Sequence, residues 1–328
     1  MNYCNFAGNE KLKEQLNQLF ESGRLPHALL LEGPQGSGRR TLARLIAAAL
    51  VCTGGGEKPC LACAACAKSM VRSHPDITEL DSPNGKMITV DAIREIRKDI
   101  YILPNESICK VYIIADAQAM NEQAQNALLK ILEEPPEHGM FILNCHSRHE
   151  LISTILSRTA VFTLNGVQEK EAVRVVRGML PEAESAAVEE AAAVWGGVIG
   201  QMLEGLQSGR LQQAMELSVQ VIRGIVSNGE LELMLATGRF EKDKELFRAV
   251  LSLLKLIFRD SLVFSMGGTT TLSGCAGEAR MLSETLTAGQ IMQLTAQAEE
   301  AENALQCNAN AALLVTHFCY SLRRCAGR

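Results

Sequence analysis

Ala28 to Thr41, reading ALLLEGPQGSGRRT, is the first grouping in the chain whose residue types and spacing suit chemistry. Gly33, Gly36 and Gly38 fall where the GxxxxGK[ST] pattern places backbone that curls around phosphate groups. An apolar run, Ala28 to Leu31, enters the turn, and a helix-compatible run, Thr41 to Val51, leaves it, as a phosphate loop requires. The chemistry-bearing positions depart from the pattern. Arg39 stands where the lysine is expected, and Arg40 where a Ser/Thr hydroxyl should ligate Mg²⁺. A guanidinium offers donors only, so it repels the ion. Thr41 cannot replace the hydroxyl, because one residue along a helix turns a side chain by about 100°. Gly33, Gly36, Gly38 and Arg39 therefore predict a degenerate phosphate loop on which ATP and Mg²⁺ are not bound productively.

Cys52, Cys60, Cys63 and Cys66 form the second grouping, the last three as a CxxCxxC run after Gly54-Gly55-Gly56. Thiols this close have the spacing of a closed, structural Zn²⁺ site with four protein ligands. An iron–sulfur cluster is the chemical competitor, since CxxCxxC also opens ferredoxin motifs; the Cys-Pro that follows there is missing, which favours zinc. A third signal is the buried run Lys110 to Asp116. Strands of this type end in the acidic pair that organises the metal of a nucleotide-dependent ATPase, and here that pair is Ala115-Asp116.

The elements that must position these groups follow from periodicity. Asn9–Glu21 reads as an amphipathic helix, and the helix after the loop buries Leu42, Leu45, Ile46 and Leu50. Ile77–Leu80, the Lys110 run and Phe141–Cys145 read as strands, and Val161–Leu164 closes the unit. Val90–Arg97 and Asn121–Glu134 read as helices, the second stopped by Pro135-Pro136. Alternation to about residue 165 predicts an α/β parallel sheet with its ligand site at the carboxyl ends of the strands. Beyond it the pattern is helical, with breaks at Trp195-Gly196-Gly197 and a flexible loop over Gly267–Gly277.

Composition sets the outer bounds. With 328 residues the chain has room for two or three domains. Hydrophobic residues at 47% and charged residues at 21% fit a globular protein, and no apolar run reaches membrane-spanning length. The N-terminus is no signal peptide, so the expected location is cytoplasmic, with eleven cysteines kept as thiols or metal ligands. A net charge of −5 and 4% aromatics argue against a protein that coats nucleic acid by itself.

Several motifs together resemble one family, the delta-prime subunits of the bacterial DNA polymerase III clamp loader, which are AAA+ proteins. The carrying residues are Gly23-Arg24-Leu25-Pro26-His27-Ala28, the loop Gly33–Arg39, the four cysteines and His74-Pro75-Asp76. Asn126–Pro135, Ile155-Leu156-Ser157-Arg158, Gly196–Gly200 and Asn308-Ala309-Asn310 complete the set. The resemblance implies an AAA+ P-loop core at 1–165 with a zinc module at 52–66, a helical lid at 166–206 and a helical collar or oligomerisation domain at 207–328. It also implies a hetero-oligomer with gamma/tau-like ATPase subunits and a delta-like subunit, acting on the sliding clamp and primer-template DNA through the complex, with no membrane.

Related ATPase subunits share the core, and this chain departs from them at Arg40 and Ala115. It departs again at Cys145-His146, where they carry a threonine-type phosphate sensor, and at Gln201, where they carry a sensing arginine. The resemblance thus implies a non-hydrolysing subunit; the alternative is an active gamma/tau-like AAA+ ATPase. Arg158, in Ser-Arg-Thr, falls at the family's arginine-finger position, whose side chain reaches a neighbour's nucleotide. On pattern alone it reads equally well as a surface arginine at a helix C-terminus. His27 and His74 lack partner patterns and read as core or loop residues.

Overall fold

The computed structural model describes residues 1–4, 6–82, 87–227, 230–306 and 310–327. The chain divides into two compact units, one of Met1–Val167 with Val198–Gly200, the other of Gln168–Gly197 with Gln201–Arg328.

In the first unit, strands β1 (Ala28–Glu32), β2 (Ile77–Leu80), β3 (Lys110–Ile114), β4 (Gly139–Cys145) and β5 (Ala160–Thr163) form a five-stranded sheet. All its pairings are parallel, in the order β2-β3-β4-β1-β5. α1 (Glu10–Glu21) precedes β1, and between the strands run α2 (Arg39–Val51), α3 (Ala64–Met70), α4 (Val90–Asp99), α5 (Glu122–Glu133) and α6 (Ser153–Leu156). A sheet covered on both faces needs strands apolar on both sides, and β1 and β3 are buried almost throughout. Leu29 and Leu31 pack on one face with Leu16 of α1 and Leu42 and Ile46 of α2. Ala28 and Leu30 pack on the other with Ile93 and Ile96 of α4 and Leu128 and Ile131 of α5. Asn121 caps α5, accepting from Ala124 N at 2.8 Å. This is an α/β core built on a parallel sheet, with a glycine loop after β1 and helical chain after it.

His27 and His74 pair with backbone: His27 Nε2 lies 3.1 Å from Leu132 O, and His74 Nδ1 accepts from Asp76 N at 3.1 Å. Asp76 in turn pins the chain before β3. It accepts from the backbone N–H groups of Asn105, Glu106 and Ser107 at 2.6, 2.8 and 2.9 Å. Burial pushes this carboxyl up, but those donors and the Ser107 hydroxyl overrule it and hold it down at about 2. A depressed pKa means stability that is present above the unfolded value near 4 and lost as pH falls toward 2. Asp76→Asn removes that dependence. The variant should be less stable by about 2 kcal/mol at neutral pH, with the gap to wild type closing below about pH 3 in chemical denaturation. A gap constant with pH rules the assignment out.

The second unit is helical: α7 (Glu169–Met179), α8 (Ser185–Trp195), α9 (Ile199–Gln207, here from Gln201 on), α10 (Arg210–Val226), α11 (Glu230–Gly238), α12 (Lys244–Ser265), α13 (Ala276–Thr285), α14 (Ala288–Gln306) and α15 (Ala311–Cys325). Phe247 of α12 stacks on Phe240 at 4.8 Å and meets Phe318 of α15 edge-on at 5.6 Å. The expected flexible loop over Gly267–Gly277 is fastened instead. Asp260, fully buried, accepts from Leu272 N and Ser273 N at 2.9 Å each, and α13 begins at Ala276. The break expected at Trp195-Gly196-Gly197 is present: α8 ends at Trp195, and Gly196, in the left-handed region, is the cap. Asn308 and Ala309 lie outside the described residues; Asn310 caps α15 through Leu313 N at 3.2 Å. Among the described residues no helix is long and apolar enough to cross a membrane.

Candidate functional site

The loop between β1 and α2 takes its shape from glycine. Gly36 and Gly38 sit at φ of 81° and 92°, where a side chain is strained, and Gly38 is the cap from which α2 starts. Gly200 N–H donates to Gly36 O at 3.0 Å, so the Val198–Gly200 segment rests on the loop. At the end of β1, Glu32 accepts from Arg148 N and Nε at 2.8 Å each and from the Thr163 hydroxyl at 3.2 Å, which ties the ends of β4 and β5 to it. Burial pushes the Glu32 carboxyl up and Arg148 pulls it lower, with a net depression.

The two arginines of the loop diverge. Arg39 turns inward and is 7% exposed, and its Nη1 has no hydrogen-bond partner. Burial lowers the proton affinity of its guanidinium, against the charge of Asp116. Arg40 stays at the surface and bridges two carboxylates. Its Nη2 is 2.6 Å from Asp116 Oδ2 and 2.9 Å from Asp81 Oδ1, and its Nη1 donates to Asp81 Oδ2 at 3.2 Å. Burial lowers the Arg40 pKa, and Asp116 and Asp81 outweigh it and raise it.

Asp116 follows β3 and Asp81 follows β2, so both stand at the carboxyl edge of the sheet, where a metal-organising acid belongs. Mg²⁺ requires oxygen ligands at about 2.0–2.1 Å in near-octahedral array. Here a guanidinium already takes both carboxylates, and no hydroxyl occupies its place. The residues do not fit the ion. In the sequence Arg40 is only a repelling charge; its pairing with Asp81 exists only in the fold. Cys145, the expected sensor position, is buried, and burial pushes its thiol up to about 12, so it stays neutral. Gln201 lies in the helical unit.

The four cysteines come together. Cys52 caps α2 and Cys63 caps α3, and the four Sγ atoms lie within 4.8 Å of one another. Cys52 and Cys63 sulfurs are 3.9 Å apart, Cys60 and Cys66 4.0 Å. Metal–sulfur bonds of about 2.3 Å in a tetrahedron put sulfurs about 3.8 Å apart, so the set fits a single bound ion. Backbone N–H groups of Cys60, Cys63 and Cys66 donate to Cys52, Cys60 and Cys63 sulfurs at 3.3, 3.3 and 3.4 Å, an arrangement that favours thiolates. The Cys66 N–H holds the Cys63 thiol down at about 5, while burial pushes Cys66 up to about 12. An ion's charge would favour the thiolate at Cys66. No disulfide joins the described cysteines.

Arg158 follows α6, with its side chain 33% exposed. Its Nη1 donates to Thr154 O at 3.0 Å and Ser157 Oγ at 3.2 Å, and its Nη2 lies 2.8 Å from Glu133 Oε1. It does cap a helix C-terminus, as the plain surface reading expects. The pairing with Glu133, from the Asn126–Pro135 motif, was not legible in the sequence.

Residues 8–168 match the family described as DNA polymerase III, delta subunit. The chain is 36% identical over 156 residues to DNA polymerase III subunit delta' of Haemophilus influenzae, covering 48% of each protein. It is 34% identical over 160 residues to the delta' subunit of Bacillus subtilis, covering 49% of this chain and 48% of that one. Over 213 residues it is 34% identical to the gamma subunit of Buchnera aphidicola, 64% of this chain and 58% of that one. The matches thus span about half the length of these curated relatives.

Proposed function

Residues 8–168 match the DNA polymerase III delta-subunit family, and from that premise we propose that the chain is a non-hydrolysing, delta-prime-like subunit of the clamp loader. It works in the cytoplasm within a hetero-oligomer of gamma/tau-like and delta-like subunits. There it lends Arg158 to the nucleotide of a neighbouring ATPase subunit and helps place the sliding clamp on primed DNA. The observation that carries the non-hydrolysing part is Arg40, whose bridge to Asp81 and Asp116 consumes the groups that should hold Mg²⁺. Without the ion, the charge that develops on a transferring phosphoryl group has no counterpart here.

Arg158 suits the donor role because a planar, permanently charged fork matches phosphoryl oxygens. Its present partner is easily exchanged. Glu133 is 48% exposed, and exposed ion pairs contribute only about 0–1 kcal/mol. The four-cysteine site is read as structural Zn²⁺, supported by its closed set of ligands and its tetrahedral sulfur spacing.

ATP turnover decides between this reading and a gamma/tau-like motor. The purified chain, with Mg²⁺ and primed DNA, should release phosphate from ATP no faster than a blank. Turnover that Arg39→Ala abolishes would establish the motor instead.

A further inference from the structure

Away from the glycine loop, on the side of the sheet that carries α2, a cavity of about 190 Å³ opens over the edge strand β2. Arg44 of α2, Ser69 of α3, Arg72, His74, and Ile77 and Glu79 of β2 line it, all within the first unit. That volume admits a ligand of several heavy atoms. His74 is more than nine-tenths buried, at 4% exposure, and its Nε2 has no hydrogen-bond partner. The tautomer follows from the other ring nitrogen. Nδ1 accepts from Asp76 N–H at 3.1 Å, so it carries no proton and Nε2 does. A buried N–H without an acceptor is costly, and the cavity that His74 lines has room for one.

The charges around the cavity are matched except at one residue. Arg44 holds Glu79 through two bonds, Nε to Oε2 at 3.0 Å and Nη2 to Oε1 at 2.6 Å. Asp81, which also borders the cavity, is taken by Arg40 at 2.9 Å. The Ser69 hydroxyl donates to Ala65 O at 2.8 Å. Among the described residues the Arg72 guanidinium has Glu79 alone, its Nε 3.9 Å from Oε2, too far for a hydrogen bond. Arg72 also holds a φ of 55°, a left-handed position that glycine adopts more readily, so the side chain stands there against the preference of the backbone. One loosely held cation and one neutral N–H call for a single negative charge with two acceptor atoms, and Ile77 supplies apolar surface beside them. We propose that the cavity binds a carboxylate on a short aliphatic stem, with Arg72 and the His74 Nε2–H donating to its two oxygens. This chemistry has two sources, a free short-chain acid or the glutamate side chain of a peptide. The site is separate from the glycine loop, and it stands whether or not the chain hydrolyses ATP.

Titration of the full chain with butyrate, and with a capped tripeptide carrying a central glutamate, tests it. With at least one probe the His74 Nε2–H resonance should shift saturably, and calorimetry should give a dissociation constant in the millimolar range or tighter. Saturation by butyrate alone assigns the free acid, and by the peptide alone the glutamate side chain; saturation by both assigns the carboxylate group itself. Butyramide, neutral and of the same shape, should bind about tenfold more weakly than butyrate. Arg72→Gly suits the left-handed backbone, so the chain should fold as before while binding falls by roughly tenfold or more. His74→Asn keeps an acceptor for Asp76 N–H and loses the Nε2–H, so it should weaken binding by about tenfold. No saturable shift with either probe at millimolar concentration overturns the proposal, as does butyramide that binds as well as butyrate. So does an Arg72→Gly chain, or a folded His74→Asn chain, that binds like wild type. Inorganic phosphate that shifts the His74 resonance where neither carboxylate does overturns the ligand class.

Discussion

Arg158→Ala is expected to leave a reconstituted clamp loader assembled and to slow its DNA-stimulated ATP hydrolysis by roughly 10³-fold at the site the arginine serves. The size follows from where the charge acts. A guanidinium fork meets charge that develops on the phosphoryl oxygens, so its loss falls on turnover rather than on binding or assembly. The chain itself should barely notice. Its bonds to Thr154 O, Ser157 Oγ and Glu133 are at the surface, and their removal should cost under about 1 kcal/mol. Arg158→Lys keeps the charge without the fork and should recover only part of the rate. Arg39→Ala in the same complex should leave a partner's hydrolysis unchanged, because Arg39 is turned into its own loop. Gel filtration checks assembly; steady-state phosphate release then reads the rate. An Arg158→Ala complex that hydrolyses ATP at the wild-type rate removes the finger.

The second large effect concerns the cysteines. Elemental analysis should find one zinc per chain and no iron. Stripping the metal, or Cys66→Ser, should lower the unfolding midpoint of the first unit by about 10 °C or more. Structural zinc contributes an apparent binding free energy of about 10–16 kcal/mol, and without it this segment has little to hold it. Cys66 and Ala65 are buried, and Ala65 joins the α1–α2 side of the core, so the loss reaches the sheet. Protons compete with metal for thiolates, so zinc should be released as pH falls. An iron-loaded chain with a charge-transfer band, or a midpoint indifferent to chelation, sinks the zinc reading.

Sequence by itself determined whatever rests on near neighbours along the chain. Apolar runs marked β1, β3 and β4, and apolar residues at helical spacing marked α1, α2 and α5. The CxxCxxC run announced its cluster because two intervening residues suffice to turn neighbouring thiols toward a common point. The glycine loop was legible because positive φ selects glycine. Helices α11 and α13 fall in chain that reads as helical, but the pattern does not delimit them: the first is short, and the second begins among glycines whose signal is a turn.

Only the tertiary structure decided who pairs with whom at the site. Arg40 meets Asp81 and Asp116 across 41 and 76 positions, and Arg148 meets Glu32 across 116. No periodicity encodes such pairs. They exist because a parallel sheet delivers the carboxyl ends of distant strands to one edge, where side chains of unrelated sequence position stand within hydrogen-bonding reach. The same delivery turned Arg40 from a residue that merely lacks a hydroxyl into one that occupies the carboxylates. It also placed the buried amide of Asn144, unremarkable in sequence, on the face of the sheet that carries α2 and the loop.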